Sequence, residues 1–129
     1  MLSNIFSIGI IALALSANVF ANEDISQTCE DFTIEGNEVS AYCRDQAGDF
    51  TKTTIVIHGV ENINGNLTKK NNFRPAGFHN SCNEISIDDY GIISASCKSR
   101  DGSWFETSLD LEIFVMNDNG KLIDIRFPN

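Results

Sequence analysis

The sequence predicts an all-β fold made of two tandem copies of one disulfide-closed unit. Three observations predict it. Apolar residues alternate with polar ones in short runs, Asn-Gly pairs separate such runs, and the second half of the chain repeats the first, cysteine for cysteine.

The alternation appears at Phe32 and Ile34, at Val39, Ala41 and Cys43, and at Ile55 and Ile57. In the second half it appears at Leu109, Leu111 and Ile113. A period of two is the signature of a half-buried strand. Asn64-Gly65 and Asn119-Gly120 suit the centre of a tight hairpin turn, where both residues need positive φ. No window carries a sustained helical stripe, although Val60–Asn62 and Val115–Asn117 each have room for one short helical turn. The stretch from Thr68 to Gly77, rich in Lys, Asn and Gly and holding Pro75, reads as a linker or hinge.

The repeat is ordered along its whole length. Thr28-Cys29 matches Ser81-Cys82, and Val39-Ser40-Ala41 with Cys43 matches Ile93-Ser94-Ala95 with Cys97. Gly48, Phe50, Thr54, Ile55 and Ile57 match Gly102, Trp104, Ser108, Leu109 and Leu111. Val60, Asn62, Asn64, Gly65 and Leu67 match Val115, Asn117, Asn119, Gly120 and Leu122. Internal duplication is therefore the organising feature. If the copies fold alike, the cysteines pair as Cys29–Cys43 and Cys82–Cys97. Each bridge closes a loop of roughly 15 residues, worth about 3 kcal/mol in the chain-entropy picture.

Residues 1–21 stand apart. The run Ile5 to Phe20 is almost wholly apolar, no charged side chain precedes Glu23, and Ala17-Asn18-Val19-Phe20-Ala21 offers a cleavage pattern after Ala21. This is a secretory signal pattern, with an uncleaved anchor as the competing reading. An even number of cysteines in a short exported chain agrees with disulfide formation, and with a secreted location, periplasmic or extracellular. The remainder, residues 22–129, is one small domain.

That remainder carries the whole net charge of −9, which repels phosphate backbones and anionic lipid. Nucleic-acid binding and membrane insertion after signal removal are not expected. The cysteine spacings contain no Cys-x-x-Cys pair, which argues against structural zinc. His58 and His79 occupy unmatched positions outside any metal or nucleophile motif, and read as solvated loop or strand-end residues. No enzyme, cofactor or metal is expected. Phe50 and Trp104, a matched aromatic pair, read as core or bridge-covering residues rather than an exposed ligand platform.

The order Ser26-Gln27-Thr28-Cys29, Ala41-x-Cys43-Arg44, a Gly48 loop, Thr54-Ile55-x-Ile57, Glu61-Asn62-x-Asn64-Gly65-x-Leu67, Pro75 and Cys82…Cys97-Lys98-Ser99-Arg100 resembles the cyanovirin-N family. The likeness runs from about Ile25 to Asp124. It implies a pseudo-symmetric β structure with strand exchange between repeats (repeat one about 25–69, hinge 70–77, repeat two about 78–126). It further implies a non-enzymatic lectin for terminal α-linked mannose of high-mannose glycans, as a monomer or a domain-swapped homodimer.

The resemblance also implies two carbohydrate sites. The hinge-side site, the preferred one, takes Glu61, Asn62 and Asn64 from the first turn, Ala76, Gly77 and Ser81 from the hinge, and Lys98, Ser99, Arg100 and Gly102 after the fourth cysteine. Here the hinge is longer than the family pattern around Lys69 to Phe73, and Ala76-Gly77 bring no polar side chains. The second site takes Asp24 and Thr28, Arg44 and Gln46, and Asn117, Asp118 and Asn119. Arg44 stands where the family has an acidic residue and Asp24 where it has a basic one. The competing function is a secreted protein-binding or inhibitor module that keeps the fold and has lost the sugar sites.

Overall fold

A computed structural model describes residues 23–127 of the chain. The predicted signal segment, residues 1–21, lies outside the described residues. A short helix α1 (Ile25–Thr28) leads into β1 (Cys29–Glu35), β2 (Glu38–Arg44) and β3 (Phe50–Val56), then the hairpin β4 (Val60–Ile63) and β5 (Asn66–Lys69). The second repeat gives β6 (Cys82–Ile87), β7 (Ile92–Lys98) and β8 (Trp104–Asp110), then the hairpin β9 (Val115–Asp118) and β10 (Lys121–Asp124). Each repeat is a three-stranded antiparallel sheet followed by a two-stranded one.

The duplication extends to irregularities. Both first strands shift register against their neighbours, between Glu30 and Thr33 and between Asn83 and Ser86. At each bulge a non-glycine residue turns left-handed, Asp31 at φ 57° and Glu84 at φ 53°. Cys29 stands opposite Cys43 and Cys82 opposite Cys97, and both pairs are bonded as the repeat predicts.

The Asn-Gly pairs make two-residue turns with φ 51° and 94° at Asn64-Gly65, and 52° and 91° at Asn119-Gly120. Both glycines are also needed for space. A Cβ on Gly65 would meet the Phe105 ring at 2.7 Å, and one on Gly120 would meet Thr51 Oγ1 at 2.8 Å. These contacts cross the repeats. The β4–β5 hairpin packs on β8, where the Leu67 amide donates to Thr107 Oγ1 (3.0 Å). The β9–β10 hairpin packs on β3, where the Leu122 amide donates to Thr53 Oγ1 (3.0 Å). Each half of the molecule is thus built from both copies.

One core serves both halves. Ile25, Val39, Ile57 and Val60 meet Phe78, Ile93, Leu111, Phe114 and Val115. Arg126 closes the waist from the C-terminal side. Its guanidinium lies 3.9 Å from the Phe114 ring centre, pairs with Asp124 (2.7 Å) and donates to the carbonyl of His58 (2.6 Å).

Several sequence expectations are corrected. Val60–Asn62 and Val115–Asn117 are strand, because the Asn-Gly turn aligns each with a partner strand and satisfies its backbone groups. The short helical turns fall instead at Ile25–Thr28, Phe78–Asn80 and Leu111–Ile113. At the last, Asp110 accepts the Glu112 amide (3.0 Å), ending β8, so Leu111 is buried while Ile113 is exposed. Thr68 and Lys69 belong to β5 rather than to the hinge. Phe50 and Trp104 are not core: both stand about half exposed at the first positions of β3 and β8. Neither histidine is a freely solvated group. The His58 ring stacks on Phe73 at 4.4 Å, and His79 Nδ1 is buried without a hydrogen-bond partner among the described residues.

Candidate functional site

The strand exchange creates two junctions where a turn from one repeat meets a loop from the other. At the hinge side, Asn62 spends its whole amide on the junction. Its Nδ2 donates to Ser81 Oγ and to the Lys98 carbonyl (both 2.9 Å), and its Oδ1 accepts the Gly65 amide (2.8 Å). Two residues on, Asn64 Oδ1 accepts the Arg100 amide (3.0 Å). Asn62 from the end of β4 and Asn64 from the left-handed turn that follows thus both reach the second repeat.

The opposite junction copies this. Asn117 Nδ2 donates to Thr28 Oγ1 (3.0 Å) and the Arg44 carbonyl (2.9 Å), and its Oδ1 accepts the Gly120 amide (2.7 Å). Asn119 Oδ1 accepts the Gln46 amide (2.7 Å).

A shallow depression of about 310 Å³ lies at the hinge-side junction, lined by Asn62, Ile63, Asn64, Ser81, Lys98, Ser99 and Arg100. Six of the ten residues predicted for this site meet there. Glu61 does not: it projects from the other face of β4 and accepts from Asn72 Nδ2 (3.4 Å). Ala76 is buried, its amide bonded to the Ile57 carbonyl and its carbonyl to Asn37. Gly77 and Gly102 are exposed but do not line the depression. Ile63 is an addition that no sequence feature marks, since it is simply the strand residue between two asparagines.

With Asn62 consumed, the groups still on offer are the Arg100 guanidinium, the Lys98 ammonium and the Asn64 amide nitrogen. Ser99 Oγ donates to Asp101 (2.6 Å), whose carboxylate also accepts the Ser103 amide (2.9 Å). The Ser99 hydroxyl and then the Ser103 amide hold the Asp101 carboxyl below its ordinary range, so it is ionised and the loop fixed at neutral pH.

The N-terminal junction has a depression of about 400 Å³ lined by Glu23, Asp24, Gln27, Thr28 and Arg44. Asp24, Thr28 and Arg44 were predicted. Gln46, Asn117, Asp118 and Asn119 are not part of its lining, and Asn117 is buried with its amide saturated. Gln27 was not predicted; the helical turn Ile25–Thr28, itself unanticipated, sets it beside Asp24 and Thr28 at spacings of three and one. Nor was Glu23, because only its backbone bridge to Asn117 brings it there.

A larger depression of about 680 Å³ lies at the waist between β3, β10 and the hinge. Its walls mix apolar residues, including Ile55, Leu122, Ile123 and Phe127, with Thr54, His58, Asp118, Lys121 and Asp124, and it lies away from both junctions. Among the described residues no cluster of His, Cys, Asp or Glu is arranged to hold a metal ion.

The model of the CVNH domain matches residues 25–123. The chain belongs to the CVNH family. Solved CVNH structures share the fold at low identity. The Gibberella zeae CVNH protein is 22% identical, with a TM-score of 0.64 over 79% of this chain and 97% of that one. Microvirin, solved as a mannobiose complex, is 21% identical, with a TM-score of 0.62 over 79% and 98%. A MoCVNH3 variant, solved in complex with (N-GlcNAc)4, is 18% identical, with a TM-score of 0.66 over 79% and 97%. The resemblance to cyanovirin-N drawn from motifs and the CVNH assignment agree, and the molecule carries the CVNH lectin fold.

Proposed function

We propose that the protein is an exported, non-enzymatic lectin that binds terminal α-linked mannose of high-mannose glycans, chiefly at the hinge-side depression. The observation that carries this reading is the convergence of the Asn64 amide with Lys98 and Arg100 on a shallow surface whose backbone is fixed by Asn62. Sugar hydroxyls accept from such donors, and hydrogen bonds from charged donors are the stronger ones. Microvirin's complex with mannobiose supports a mannosyl ligand, and the (N-GlcNAc)4 complex supports carbohydrate more broadly. The apolar leader and the two disulfides support export. The second junction, with two carboxylates beside Arg44, is the weaker site. Two sites on one rigid body would gain by multivalency, as would a domain-swapped dimer over a monomer.

The test is a glycan array with the folded, oxidised protein, followed by competition with methyl α-mannoside. Selective binding of mannosyl glycans, displaced by the competitor, is expected. Absence of any glycan binding would leave the protein-binding module as the function of this fold.

A further inference from the structure

The outward face of the β6–β7–β8 sheet carries a second feature suited to the same ligand chemistry. Trp104 pairs across the strands with Lys98 and is 48% exposed. Beside it a cavity of about 540 Å³ is lined by Asn83, Glu84, Ser96 and Trp104. An aromatic ring left half in solvent on a sheet face is a costly arrangement, because it forgoes burial of a large apolar area.

Polar groups surround it on cue. Ser96, opposite Asn83 in the register, is mostly buried but lines the cavity wall beside the ring. Glu84 is turned left-handed by the bulge, at φ 53°. Lys98 links Trp104 to the hinge-side depression: it lines the latter, and its Nζ lies 6.0 Å from the centre of the Trp104 ring.

The first repeat differs at the same places. Tyr42 stands where Ser96 stands, Glu30 where Asn83 stands and Phe50 where Trp104 stands. Only the second repeat therefore combines the widest aromatic surface with a small residue beneath it and an amide beside it.

We propose that Trp104 forms an extension of the hinge-side site, stacking against a neutral pyranose ring further along the glycan held there. The carbon–hydrogen bonds of one sugar face carry the slight positive charge that the negative face of an indole attracts. Asn83, Ser96 and Glu84 then supply both donors and acceptors to the ring's hydroxyls. This inference rests on the lectin reading and deepens it by making the site specific for length.

Trp104 is the only tryptophan of the chain, so its emission reports the platform directly. Titration with a high-mannose oligosaccharide should shift and quench the fluorescence, whereas α-linked mannobiose, filling only the hinge-side depression, should leave it nearly unchanged. By calorimetry, Trp104→Ala should weaken the oligosaccharide about 10-fold and leave mannobiose unaffected, with Trp104→Phe intermediate. An unchanged circular-dichroism spectrum and melting curve would show that each variant folds. Oligosaccharide binding with silent fluorescence, or with the same affinity in Trp104→Ala, overturns the platform while the lectin reading stands. Failure of the native protein to bind any saccharide overturns both.

Discussion

The two junctions use one set of interlocking bonds and present two different surfaces. Asn62 and Asn117 make corresponding amide bonds, and Asn64 and Asn119 clasp corresponding backbone amides of the opposite repeat. Around that shared frame the hinge side offers Lys98 and Arg100 with no carboxylate in the lining, whereas the N-terminal side sets Glu23 and Asp24 against Arg44. Positions engaged in holding the repeats together kept their identity. Positions left free by that task diverged in charge. Exchange of strands thus fixes the place of both sites, while free side chains decide what each can bind.

The largest test of the comparison removes a bridge. Replacing both cysteines of either pair by alanine should cost about 3 kcal/mol in denaturant unfolding, and nearly the same for each repeat, since the closed loops differ by one residue (separations of 14 and 15). A loss confined to one repeat would show that the copies do not share stability evenly.

Next comes the interlock. Asn117 is 1% exposed, so Asn117→Ala strands the Gly120 amide and the Arg44 carbonyl away from water and should cost about 2–3 kcal/mol. Asn62→Ala, at the more accessible junction, should cost about 1–2 kcal/mol. Equal losses in urea titrations would mean that burial does not distinguish the ends.

Binding follows. Arg100→Ala should weaken mannobiose at least 10-fold, by roughly 1.5–3 kcal/mol for a hydrogen bond from a charged donor, with stability unchanged. Arg44→Ala should change affinity less than about twofold, since it belongs to the weaker junction, whose lining also carries the carboxylates Glu23 and Asp24. The reverse ranking in calorimetry would move the principal site to the N-terminal junction.

The smallest effect is acid sensitivity of the Ser99–Ser103 loop. A carboxyl held below its unfolded value contributes order above that value and loses it as pH falls through the folded one. Asp101 is such a group, so affinity should be flat above about pH 5 and decline below roughly pH 4, within and beneath the ordinary carboxylate range. Asp101→Asn should remove that acid limb. A decline that persists in the variant would assign it to other carboxylates.

Much of this was legible because a duplicated sequence checks itself. The matched Cys29/Cys82 and Cys43/Cys97 gave the bridges, and the matched Asn64-Gly65 and Asn119-Gly120 gave the turns. Matching did not distinguish a ligand-facing residue from a structural one. Asn62 and Asn117 recur at equivalent places because each closes a junction, and Glu61 shares the motif yet projects from the opposite face. Trp104 was misread for a related reason: a matched aromatic suggests core, but alternation placed it on the solvent side of its sheet.

The sequence alone determined two copies, their internal bridges and their tight turns, because these depend on local φ preferences and short loop closures. Tertiary structure decided which half each hairpin joins, that Arg126 closes the waist, and which polar groups remain unspent at each junction. Those outcomes depend on partners far apart in the chain, such as Asn62 with Lys98 and Asn117 with Arg44, whose distances no local pattern encodes. The bonds that build the two junctions are thus duplicated, while the groups each leaves free to bind are not.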